Sequence, residues 1–233
     1  MLILSTRRDN STFRHGETTW HHADIGNAPI PAADVHESLA GRRVCVLLHG
    51  YNVADALGAY AELALRMDGK YDSIVGVTWP GSTLKLGFWP ARGRAAESGK
   101  RIAAALSFLD PALLDIQGHS LGCRVALEAL NHGLRCRNLI LAAPAVGDDS
   151  LAREYHAASM NAARVVVAHS EHDAVLRKAY RWAMFDDALG LRGPRQPELV
   201  APHVEAWDLS FEVKSHSDYK RSGAYIRCWR SIA

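Results

Sequence analysis

The chain has 233 residues, 48% hydrophobic and 22% charged, with a formal net charge of +2. This is an ordinary globular composition, which excludes a disordered or fibrous chain, and so small a charge argues against a nucleic-acid partner. The length fits one domain over residues 1–233, large enough to bury roughly 70–75% of the surface its unfolded form exposes.

In chain order, "MLILST" and "FRHGETTW" can each form a strand, and "GNAPIPAAD" reads as a loop punctuated by Gly and Pro. From Arg43 the pattern is regular. "RVCVLLHG", "YDSIVGVTWP", "ALLDIQGHS", "RNLILAAPAV" and "ARVVVAHSEHD" are short, continuous apolar runs closed by turn residues. Continuous hydrophobicity predicts strands buried on both faces. Between them, helical spacing predicts helices over 54–68, 91–109 and 121–132, with weaker ones over 148–160 and 174–189. The segment 190–203 reads as a proline-containing loop and the most mobile stretch. "VEAWDLS" predicts the last strand and 218–231 the last helix. Alternating strand and helix predicts an α/β fold with a mainly parallel sheet and no large lid domain.

Arg92, Arg94, Lys100 and Arg101 lie in one helical pattern without interleaved aromatics, so they read as a solvated face. Cys45, Cys123, Cys136 and Cys228 form no C-x-x-C pair or disulfide framework, which suits a reducing compartment. No apolar run reaches the length of a membrane span, and "MLILSTRRD" is too short for a signal-peptide core. The expectation is a cytoplasmic protein. His21 with His22, and His169 with His172, lack any metal-ligand spacing, so no metal or other cofactor is expected.

"GHSLG" at 118–122 fits G-x-S-x-G between an apolar run and a helix pattern. A serine on so tight a strand-to-helix turn projects from the sheet, and the helix N-terminus beside it favours negative charge. Ser120 is the candidate nucleophile. It needs a base and an acid to orient that base. Asp173, after "ARVVVAHS", is the favoured acid, with Glu171 as competitor. His216, after "VEAWDLS", is the favoured base over His203, which precedes that strand. The oxyanion donors would be the backbone N–H groups of Tyr51, in "LLHGYN", and Leu121. Trp79 and Trp89 follow strand ends on the ligand-binding side and are candidate pocket residues. His119 is expected to pack beside the turn.

"VLLHGYN", "GVTWPGS", "GHSLG", "LAAPAV", "SEHDAVL" and "SHSDY" together resemble the α/β-hydrolase superfamily, and more narrowly a bacterial group of small α/β-hydrolases of unknown function. The resemblance covers residues 43–220. It implies an α/β-hydrolase fold, a triad of Ser120, Asp173 and His216, and Tyr51 and Leu121 as oxyanion donors. The expected reaction is hydrolysis of a carboxylic ester, with a small soluble ester as the partner. Thioesterase, amidase and acyltransferase chemistry on the same residues stay open, as does a non-catalytic binding protein of the same fold.

Overall fold

The computed structural model describes residues 1–8, 13–23, 28–51, 53, 55–81 and 88–233. Asn52 of "HGYN", Ser82 of "WPGS" and the expected helix start at Ala54 lie outside the described residues.

The strands are β1 (Leu2–Arg7), β2 (His15–His22), β3 (Val44–Leu48), β4 (Ser73–Thr78), β5 (Leu114–His119), β6 (Cys136–Ala142), β7 (Ala162–His169) and β8 (Val204–Asp208). They form one sheet in the order β2-β1-β4-β3-β5-β6-β7-β8. The β1–β2 pair is antiparallel and every other pairing is parallel. The helices are α1 (Ala32–Leu39), α2 (Ala56–Arg66), α3 (Phe88–Leu106), α4 (Leu121–Asn131), α5 (His156–Ser159), α6 (Arg181–Met184), α7 (Leu189–Arg192) and α8 (Gly223–Ile232).

Side chains alternate across the strands, so one sheet carries two cores. Val44, Val46 and Leu48 of β3 join Leu139 and Leu141 of β6 on the face covered by α1, α3 and α4. Cys45 and Leu47 join Ile140 and Ala142 on the face covered by α2 and α8. This is why the strands read as unbroken apolar runs. Among the described residues no helix is long and apolar enough to cross a membrane.

Several expectations at the periphery are corrected. Residues 32–34, expected as the end of the "GNAPIPAAD" loop, open α1, which starts immediately after Pro31 and buries Val35 and Leu39. The helix expected over 148–160 shrinks to α5. Upstream the backbone makes turn bonds, such as Ala152 N–H to Asp149 O and Arg153 N–H to Ser150 O, not an α-helical ladder. The helix expected over 174–189 is a π-helical stretch, Val175–Tyr180, that runs into α6. It stops at Phe185, which takes a left-handed conformation. The last helix starts at Gly223, where the Ser222 hydroxyl accepts the Tyr225 N–H as an N-cap. The expected loop 190–203 is tied down. Leu189 and Gly190 donate to the carbonyls of Val146 and Pro144, and Gly190 and Leu191 are buried.

The chain leaves β3 in two directions. β4 lies on one side of it and β5 on the other. The carboxyl ends of β3 and β5 therefore flank a topological switch point, where open α/β sheets hold their ligands.

Candidate active site

His49–Tyr51 follow β3, and Ser120 follows β5, so both stand at the switch point. Ser120 has φ 56 and ψ −123, a left-handed conformation that an L-serine holds only under constraint. The constraint is visible. Ser120 N–H donates to the Ala142 carbonyl at 2.9 Å, and its own carbonyl accepts from Cys123 and Ala145 at 3.1 and 3.2 Å. The flanking glycines are required by close approach. A Cβ on Gly122 would lie 2.5 Å from the Leu48 and His49 carbonyl oxygens, and one on Gly118 would lie 2.8 Å from the Cys123 backbone. The helix start is thus pressed onto the end of β3. Leu121 opens α4, and its N–H has no intrahelical carbonyl to bond.

Asp173 and His216 arrive from the ends of β7 and β8. Ser120 Oγ donates to His216 Nε2 at 2.8 Å, and His216 Nδ1–H donates to Asp173 Oδ2 at 2.6 Å. Asp173 is fully buried. Its other oxygen, Oδ1, accepts from the Val175 and Leu176 N–H groups, both at 3.0 Å. The carboxylate thus caps the π-helical stretch with one oxygen and meets the histidine with the other. Asp218 shapes the loop that delivers His216: its Oδ2 accepts from Lys214 N–H at 3.1 Å and Ser215 N–H at 2.7 Å. Glu171 is exposed with its carboxylate 4.0 Å from His172. His203 bonds the Ser159 carbonyl at the opposite end of the sheet. The structure therefore brings Ser120, His216 and Asp173 together and leaves both competitors outside.

Two histidines support this group: His119, expected to pack beside the turn, and His49, for which the sequence suggested no role. His119 donates from Nε2 to the His216 carbonyl at 2.8 Å. Burial, and then the nearby His216, lower its pKa to about 4. His49 donates from Nδ1 to the Gly50 carbonyl at 2.8 Å, so its neutral ring offers Nε2 as acceptor to Arg7 Nη2 at 3.0 Å. Burial, and then the Arg7 charge, lower its pKa to about 3. The Gly50 carbonyl and the Tyr51 N–H share one peptide plane. The bond from His49 therefore fixes the direction of the Tyr51 N–H as well. Gly50 lies against the serine: a Cβ there would sit 2.9 Å from Ser120 Cβ.

Trp79, expected as a pocket residue, has no face open to a ligand. It is 0% exposed, its indole N–H donates to the His49 carbonyl at 2.9 Å, and its own carbonyl accepts from Arg7 Nε at 2.8 Å. It braces the turn after β3. Trp89 is 56% exposed in the first turn of α3. Among the described residues the acidic or His/Cys group with metal-holding spacing is Asp148, Asp149 and Asp186, and Arg195 already ion-pairs with Asp148 and Asp186 at 2.7 and 2.6 Å.

A family described as "Alpha/beta hydrolase of unknown function (DUF900)" matches residues 32–197. The match includes Ser120 and Asp173 and ends before His216. No curated protein matches the chain by sequence. Solved structures share the fold. Esterase PE8 is 19% identical, with 81% of this chain and 90% of that one covered and a TM-score of 0.52. TT1662 from Thermus thermophilus is 16% identical, with 82% and 87% covered and a TM-score of 0.51. The fold, the residues matched and the similar structures agree: this chain belongs to that α/β-hydrolase family.

Proposed function

We propose that the protein is a serine hydrolase of carboxylic esters acting through an acyl-enzyme. The observation that carries the reading is the unbroken hydrogen-bond chain from Ser120 Oγ through His216 to the buried Asp173.

Each group has a role set by its chemistry. Asp173 holds the tautomer with the proton on Nδ1, which leaves Nε2 free to accept. As the Ser120 oxygen attacks the ester carbonyl carbon, its proton passes to Nε2. The imidazolium formed is stabilised by the Asp173 carboxylate. The carbonyl oxygen becomes an oxyanion and is received by the N–H groups of Leu121 and Tyr51, each worth about 2.7–4 kcal/mol in such sites. The tetrahedral intermediate collapses, and Nε2 returns the proton to the departing alcohol. Water, deprotonated by His216, then attacks the acyl-serine and releases the acid. The Arg7–His49–Gly50 chain supports this reading because it holds the Tyr51 N–H in one orientation before substrate arrives.

The test is hydrolysis of p-nitrophenyl acetate by the wild-type chain and by Ser120→Ala. Loss of the nucleophile is expected to lower kcat by about a millionfold. Undiminished activity in Ser120→Ala contradicts the reading.

A further inference from the structure

Beside the site the chain exposes large apolar side chains. Trp182 is 75% exposed, Phe185 91% and Trp89 56%. They stand on two segments that Arg92 links. The Arg92 guanidinium lies 5.3 Å over the Trp89 ring and donates to Met184 Sδ at 3.4 Å. One side chain thus joins the first turn of α3 to the end of α6, where Trp182 and Phe185 stand. The patch is continuous with the site. Tyr51 meets Phe88 edge-on at 5.9 Å, and Phe88 meets Tyr180 edge-on at 5.9 Å. This aromatic wall runs from the turn after β3 to the helical stretch that Asp173 caps.

Phe185 is the informative residue. It ends α6 at φ 54 and ψ 29, donating its N–H to the Arg181 carbonyl. That left-handed position suits glycine, and a bulky side chain there is strained. The strain brings no core contact, because the ring points into solvent. Backbone strain of this kind clusters at functional sites.

The charges beside the patch are mostly basic. Arg177, Lys178 and Arg181 share its segment, with Arg92 beneath. The acids there, Asp186, Asp187 and Glu154, are engaged by Arg195 at 2.6 Å, Arg181 at 3.6 Å and Arg124 at 3.7 Å. Exposed Trp and Phe flanked by Lys and Arg is the composition of a surface that lies in an anionic lipid interface. A second copy fits less well, since a two-fold contact sets the same basic patch against itself.

We propose that this rim, with Trp89, Trp182 and Phe185 at headgroup depth and Arg177 and Lys178 against lipid phosphates, docks the protein on an anionic membrane surface with the Ser120 mouth turned toward it. This revises the expectation of a small soluble ester. It is read by binding alone, so it stands or falls separately from the hydrolase reading.

The test is sedimentation of the full chain with vesicles of phosphatidylcholine alone and of phosphatidylcholine mixed with phosphatidylglycerol. Partitioning into the mixed vesicles is expected to be at least about tenfold stronger, and to fall as salt is raised. Lys178→Gln is expected to weaken it about fivefold. Phe185→Gly suits the left-handed position, so it is expected to fold at least as stably as the wild type, yet Phe185→Gly with Trp182→Ser is expected to weaken binding about tenfold or more. Equal binding to both vesicles, no binding, or unchanged binding by the double variant overturns the proposal. A concentration-dependent dimer that Phe185→Gly dissolves also overturns it, and assigns the patch to a second copy.

Discussion

His119 donates its Nε2–H to the backbone carbonyl of His216 at 2.8 Å, and the two rings lie 4.8 Å apart. The residue before the serine thus holds the loop that carries His216, the proposed base. With its pKa lowered to about 4 by burial and by His216, His119 is uncharged at neutral pH. It can steady His216 without opposing the positive charge that His216 would gain in the proposed reaction.

His119→Leu removes that donor and is expected to lower kcat by roughly tenfold to a hundredfold with little change in KM, because misplacing a base by about an ångström has costs of that size. His119→Gln, whose side-chain amide can donate, is expected to recover much of the loss. Steady-state kinetics on a soluble ester measure both. A Leu variant with wild-type kcat removes His119 from the positioning role.

Asp173 has two jobs that substitution can separate. Asp173→Asn keeps an oxygen to accept from Val175 and Leu176 but can no longer pair as an anion with His216. It is expected to lower kcat by about ten-thousandfold with little change in unfolding temperature. Asp173→Ala also loses the helix cap, and is expected to lose a further 0.5–2 kcal/mol or so of stability. Kinetics and thermal unfolding on the same samples check the split.

Arg7 stands far from Ser120 in sequence and reaches the turn beside it through His49, directly and by way of Trp79. Arg7→Met is expected to lower kcat about tenfold or more while KM stays near wild type, since a poorly oriented oxyanion donor weakens transition-state stabilisation. Unchanged kcat in a folded Arg7→Met variant separates β1 from the oxyanion turn.

His49 and His119 also set a pH dependence for the fold. Their folded pKa values, about 3 and about 4, lie below the ordinary 6.5. Between those values the unfolded chain binds more protons than the folded one, so stability falls as pH falls. Each histidine contributes up to about 1.4 kcal/mol per pH unit. The loss starts near pH 6.5 and runs to about 4 for His119 and about 3 for His49. Unfolding temperatures across that window are expected to drop, less steeply in His119→Gln. A flat profile contradicts the buried neutral state of both.

How much of this was legible depended on how local each signal is. The central strands were, because burial on both faces writes itself as unbroken apolar runs such as "RVCVLLHG". Ser120 was, because its turn needs Gly118 and Gly122 within two residues. Asp173 and His216 were reachable only through strand order, since nothing near either one marks it. Arg7 was invisible: its role rests on β1 pairing parallel to β4, which no local pattern encodes. Trp79 was misread because a tryptophan after a strand end looks the same whether it faces a pocket or, as here, braces His49 from within the core. The helix α1 was hidden by Pro29 and Pro31, which read as loop yet stop just short of its first turn.

Covalent labelling of Ser120 tests the central claim most directly. The wild-type chain would be treated with a fluorophosphonate and digested, and the peptide carrying "GHSLG" weighed. The expected result is one phosphonyl adduct on Ser120, formed by the wild type, strongly slowed in His216→Ala and absent in Ser120→Ala. A folded wild-type chain that leaves Ser120 unlabelled, or that labels equally fast without His216, would contradict the account.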